Sequence, residues 1–194
     1  MKKVCFLLFV CLLTLVCFVS CVSNHRVALS QNKKVIGKNG IERPEWVIHD
    51  MSNKKTHYVA AFGEGKTFEV AKSKAKLNAD AEMALWVSNT VDAVRERYIS
   101  EDINNASNEF VDTFVIKNKE AGSAVFTGVV EEDFWEDGEG GVWVLLSIPV
   151  KNVKAQIDSV IAATAADPTV LEKSNDVNQA VEIISKIVEE VLAE

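Results

Sequence analysis

Cys21 is the residue whose setting most clearly calls for chemistry. It follows Phe18-Val19-Ser20, an apolar residue and then a small one, with Phe18 where the stricter form of this box has Leu. Only a thiol at that place can take a diacylglyceryl group as a thioether, and cleavage before it would free an amine for further acylation. Upstream, Lys2 and Lys3 form a positive start, and Val4 to Val19 is apolar except for Thr14, as in a secretory leader. All four cysteines, Cys5, Cys11, Cys17 and Cys21, lie within this stretch. The expected mature chain therefore keeps one cysteine, the lipid carrier, and has no disulfide. Each buried CH₂ contributes about 0.8 kcal/mol, and stable anchoring takes more than one chain. A lipoprotein carries at least two, so the expected attachment is permanent. The competing expectations are an uncleaved membrane anchor over Val4–Val22 and ordinary secretory cleavage.

A second segment has the spacing of a phosphate-binding loop: Ala60-Ala61-Phe62-Gly63-Glu64-Gly65-Lys66-Thr67. In such a loop backbone amides cradle phosphate, the lysine meets the terminal phosphates and the threonine holds magnesium. Here Ala60 replaces the usual first glycine, and Glu64 sets a carboxylate where phosphate would lie. No apolar strand ending in aspartate follows. The expectation is structural: Gly63 and Gly65 turn the chain and Thr67 caps a helix.

A third cluster is acidic. Glu131, Glu132, Asp133, Glu136, Asp137 and Glu139 crowd one stretch, and Asp133 with Gly138 resembles the start of a calcium loop. Trp135 occupies a ligand position, however, and Val144 stands where the bidentate glutamate belongs. A solvated turn is expected. His25, His49 and His57 have no zinc-ligand spacing and no cysteine partner. There is no nucleophile-elbow motif. Trp46, Trp86, Trp135 and Trp143 are read as core residues rather than a ligand cage. No catalytic, cofactor or metal residue is assigned, and no enzyme is expected.

The elements that would carry these residues can be read from pattern. Residues 1–20 are the expected leader and 21–43 a lipidated, polar tether containing Gly37-Lys38-Asn39-Gly40. An α+β domain is expected over 44–165 and an amphipathic helix over 166–194. His57–Phe62 reads as a strand, Thr67 to about Ile99 as a long helix, and Glu101 to Lys119 as another. In the long helix Ala71, Ala75 and Ala79 recur at four-residue spacing beside Leu77, Ala81, Ala84, Leu85 and Val91. The second helix offers Phe110, Val111, Phe114 and Val115. Ala124–Trp135 and Val142–Val150 read as a hairpin around Glu136–Gly141. Asn152 is expected to cap a short helix bearing Val153, Ile157, Val160 and Ile161, and Asp167-Pro168 to break the chain. This order suggests a small antiparallel sheet with helices packed on one face.

Charge is unevenly distributed. Loss of Lys2 and Lys3 takes the net charge from −7 to −9, with +4 on residues 21–43 and −13 on 44–194. A basic tether suits an anionic lipid surface. An acidic domain lacks the basic footprint of a nucleic-acid binder. Near the end, Val177, Ala180, Ile184, Ile187 and Val191 form a heptad-like seam of about two repeats, joined by Val181 and Val188. It either folds back on its own sheet or joins copies into a homo-oligomer.

Arg43-Pro44-Glu45-Trp46-Val47, Tyr58-Val59-Ala60-Ala61-Phe62-Gly63-Glu64-Gly65, the alanine-spaced helix, Gly128-Val129-Val130 and Trp143-Val144-Leu145-Leu146 together resemble the Lpp-twenty lipoprotein family. The resemblance covers about residues 44–150. It implies a compact α+β domain on an envelope lipoprotein, in a family linked to cell-surface antigens and flagellar envelope structures, and supplies no catalytic residues. Val22 rather than Asp after Cys21 points to the outer membrane. The expected function is a non-enzymatic envelope lipoprotein acting by contact with an envelope protein, as a scaffold near motility or cell-wall machinery. The alternatives are a surface-exposed adhesin or antigen and, more distantly, an exported nucleotide-binding enzyme.

Overall fold

The computed structural model describes residues 34–36, 40–100, 108–121, 128–173 and 176–194. The leader, Cys21 and His25 lie outside these residues. Lys34–Ile36 (β1) and Glu42–Pro44 (β2) pair antiparallel, so the expected tether already contains regular structure in its second half. A single 3-10 turn, Glu45–Val47, follows and buries Trp46.

The main sheet has three antiparallel strands: Thr56–Glu64 (β3), Val130–Glu136 (β4) and Gly141–Pro149 (β5), in the order β3-β5-β4. In β3, Val59, Ala61 and Gly63 stand opposite Leu146, Val144 and Val142. These six define one face, since side chains alternate along a strand. β5 is central and buried along nearly all its length. Its second face, with Leu145 paired to Ala60, is overlaid by Trp46, whose Nε1–H donates to Asp133 Oδ2 across the sheet at 3.1 Å. The hairpin turn is built by Asp137. Its Oδ1 accepts from Glu139 N at 2.8 Å and Gly141 N at 2.9 Å, while Gly138 and Gly140 supply positive φ.

Phe68–Ser100 (α1) is 33 residues, about 50 Å of helix at 1.5 Å per residue. Thr67 caps it: Val70 N donates to Thr67 Oγ1 at 3.4 Å and Ala71 N to Thr67 O at 3.0 Å. Its first half lies on the sheet through Ala71, Ala75, Ala79 and Met83, all fully buried. The small residues matter because a Cβ on Gly63 would fall inside the backbone of Ala71 and Ala75. Neither Gly63 nor Gly65 has positive φ, and β3 continues through Gly63 to Glu64. These glycines therefore serve close approach, and the expected turn at Gly63 is a correction. The inward stripe continues through Val87, Val91, Val94 and Tyr98. Leu77 and Leu85 were expected beside it, yet they are 68% and 59% exposed on the outer face.

Two of the other helices, α2 and α5, pack on α1. Asn108–Ala121 (α2) buries Phe110, Val111, Phe114 and Val115, as its pattern indicated. It is pinned by Arg95–Asp112 at 3.0 Å and Asp92–Lys119 at 2.9 Å. Val150–Ala165 (α3) starts directly after β5, with Pro149 rather than Asn152 at its N-cap, and without a side-chain cap bond. Pro149 presets the backbone there, which the expected Asn152 cap overlooked. Pro168–Lys173 (α4) starts beyond the break at Asp167, and Val177–Ala193 (α5) closes the chain. In α5, Ala180, Ile184, Ile187 and Val188 are buried, and the helix packs mainly on α1 and α3 rather than on the sheet. The seam that suggested self-association is thus occupied within the chain. Lys34–Glu194 is one compact unit, so residues 166–194 share the core of the preceding segment. The fold is α+β: two small antiparallel sheets, with the larger covered on one face by α1, α2 and α5 packed on α1, and α3 and α4 packed on those helices.

Candidate functional site: a cleft on the free edge of the sheet

β3 is an edge strand, and several of its outward backbone groups are closed by other parts of the chain. Residues 57, 59, 61 and 63 face β5, so 56, 58, 60 and 62 point outward. Thr56 is taken by Asn53 in a bridge. Tyr58 N donates to Ser52 Oγ at 3.0 Å, and the Tyr58 carbonyl lies 3.3 Å from the same hydroxyl. Phe62 O accepts from Asn78 Nδ2 at 2.8 Å. Side-chain plugs of this kind keep an edge from pairing freely with another strand. Among the described residues, Ala60 N–H and C=O and the Phe62 N–H have no such plug.

Ala60 lies on the floor of an open cleft of about 670 Å³. Tyr58 and Val59 continue the floor. One wall is α1, with Glu82, Leu85, Trp86 and Asn89. The other is the segment from Trp46 to Asp50. The size falls within the range of about 300–1,000 Å³ typical of binding sites. His57 stacks flat on Trp86, with ring centroids 3.8 Å apart and planes 10° apart. Ile48 and Leu85 are 43% and 59% exposed at the rim.

Ser52, His57 and Asp50 form a small polar cluster beside this floor. Ser52 Oγ lies 3.1 Å from His57 Nδ1, and Asp50 Oδ1 accepts from Ser52 N at 2.8 Å. If His57 Nδ1–H donates, the hydroxyl proton remains for Tyr58 O or Asp50, and Nε2 becomes the acceptor. Ser52, through its side chain first and its backbone N–H as well, holds Asp50 below the usual carboxylate range. Burial pushes His57 downward, opposed by attraction to Asp50. The residue types are those of a nucleophilic triad, but the connections differ. A triad carboxylate orients the far nitrogen of the base, leaving the hydroxyl to attack. Here carboxylate and imidazole both act on Ser52, whose hydroxyl is tied to the Tyr58 backbone. The cluster braces the edge of the strand.

The other sequence candidates separate. In the phosphate-loop-like segment, Gly63 pairs with Val142 in the ladder, Gly65 packs beneath Val70 and Ala71, and Lys66 is exposed. No amide cradle remains there. Of the acidic cluster, Asp137 is spent in the turn and Asp133 on Trp46 and its neighbour Phe134 N. Glu132 accepts from Ser147 Oγ at 2.6 Å, and Glu131 pairs with Lys72 at 2.6 Å. Among the described residues, no group of three or more His, Cys, Asp or Glu side chains could hold a metal. Trp135 and Trp143 belong to the sheet, whereas Trp46 and Trp86 both line the cleft. Sequence reading passed over His49, Asp50, His57, Glu82 and Trp86 as a group, because no spacing links a turn, a strand and mid-helix positions.

No protein-family model matches the chain, and no curated protein matches it significantly.

Proposed function

We propose that this chain is a lipid-anchored, non-enzymatic protein of the bacterial cell envelope that acts by contact with another envelope protein. In this reading it is a scaffold near motility or cell-wall machinery, and the outer membrane is its site. The observation that carries the proposal is Phe18-Val19-Ser20-Cys21 at the end of a leader that starts Lys2-Lys3 and runs apolar from Val4 to Val19. Placement in the Lpp-twenty family is part of the same proposal and rests on the short motifs at Arg43–Val47, Tyr58–Gly65 and Trp143–Leu146. The +4 tether beside −13 on the rest of the chain supports an arrangement with its basic part at the lipid. The cleft beside β3, with exposed Ile48 and Leu85, supports contact as the mode of action. Labelling cells with a fatty acid tests the anchor. Wild-type chain should take up label and partition into detergent, and Cys21→Ala should do neither. A labelled, detergent-phase Cys21→Ala chain would refute the lipoprotein reading.

A further inference from the structure

We infer that the cleft on β3 clamps a short extended segment of a partner protein through one residue bearing a lysine or arginine side chain. This rests on the protein-contact reading above and names the chemistry of that contact. Three observations carry it.

The first is the pattern of open backbone. The plugs at Asn53, Ser52 and Asn78 leave both groups of Ala60 available, between Tyr58, closed at both, and Phe62, closed at its carbonyl. In an antiparallel ladder one outward residue exchanges both bonds with one residue of the incoming strand. The edge therefore accepts one peptide unit in register and resists a longer strand, so a short recognition segment fits where sheet-to-sheet aggregation does not.

The second is charge. Glu82 and Asp50 line the cleft, and neither Lys nor Arg is among its lining residues. Asp50 is stabilised in its charged form by Ser52, and His57 is kept toward neutrality by burial, so the cleft is acidic at neutral pH. A cation is the complementary group. The third is the aromatic wall. A residue directly opposite Ala60 carries its side chain on Ala60's face, the one that Trp46 overlies. Trp46 therefore offers ring surface to the alkyl stem and charged head of lysine or arginine, while Trp86 stacked on His57 walls the cleft on the other side.

The test uses the full-length chain in detergent and three labelled pentapeptides of valine and threonine. One has a central arginine, one a central glutamate, and one the arginine with its amide nitrogen methylated. Fluorescence polarisation should show binding of the arginine peptide. The glutamate and methylated peptides should each bind at least about tenfold more weakly, a loss of about 1.4 kcal/mol. Glu82→Lys, at an exposed helix position, should weaken the arginine peptide by a similar factor. Ala60→Pro removes the N–H that would donate to the arginine residue's own carbonyl, without touching the ladder to β5, and should weaken the arginine peptide by at least about tenfold. Absence of arginine-peptide binding overturns the inference. Equal binding of the methylated peptide to wild type overturns the backbone clamp, even if Ala60→Pro fails to fold. A photo-crosslinking side chain at Leu85 in cells separates the two levels. A specific adduct without arginine-peptide binding leaves protein contact standing and removes the clamp; neither adduct nor binding removes both.

Discussion

Gly63 and Lys66 sit three residues apart in one motif and have opposite weight. Gly63 has no room for a Cβ because the backbone of α1 lies directly against it. Gly63→Ala should destabilise by about 1–3 kcal/mol, the usual cost of overpacking, because backbone must shift. Lys66 is exposed, and Lys66→Ala should stay within about 0.5 kcal/mol. Urea denaturation of both variants decides the matter; equal losses would mean that the helix is free to move off the strand. His57 gives a second residue-scale prediction. Burial lowers its folded pKa below 6.5, so the unfolded chain binds the proton more readily. Its contribution is whole above about pH 6.5 and is lost as pH falls through and below that value. Asp50 is depressed from 3.8, and its contribution fades only at more acid pH. Between about pH 7.5 and 5.5 the wild type should therefore lose more stability than His57→Gln. Parallel losses in the two proteins would rule out His57 as the source.

At the scale of elements, α5 is the informative case. Its seam looked available because a helix with one strong apolar face must cover it, and sequence alone does not say with what. Ile184 is fully buried and Ile187 is 1% exposed, both within the chain's own core. Ile184→Glu with Ile187→Glu would bury two unpaired carboxylates, each costing several kcal/mol. The double variant should lose helical circular dichroism and unfold. A folded double variant that differs only in light scattering would return the seam to an interface between copies. Leu77→Glu, by contrast, adds charge to an outer face already 68% exposed and should leave melting within about 0.5 kcal/mol of wild type.

Across the whole molecule, α1 joins the sheet to the helical part. Arg97, near its C-terminal end, meets Glu194 at 2.6 Å and Glu190 at 3.7 Å, tying the end of α5 to α1. Such exposed pairs contribute little, about 0–1 kcal/mol each. The shared apolar core of α1, α3 and α5 contributes more. A chain ending at Ala165 should therefore fail to give a cooperative melt, although sequence placed a domain boundary there. A sharp transition and dispersed amide spectrum for that truncated chain would restore the boundary.

Features that depend on neighbours along the chain were legible from residue order. Thr67 as a cap, the Asp137 and glycine turn, and the apolar faces of α2 and α5 are local matters of hydrogen-bond reach and helical period. The α+β order follows from the same signals. Tertiary structure decided whatever needed a partner from afar. The Ala71–Ala75–Ala79 stripe and Gly63 are separate small-residue signals until strand and helix meet. Leu77 and Leu85 are as apolar as core leucines, and only the direction from which the sheet approaches α1 puts them outside. The cleft is the extreme case. Asp50, His57 and Glu82 share no period, and they converge because a turn, an edge strand and a long helix enclose the same unpaired backbone at Ala60.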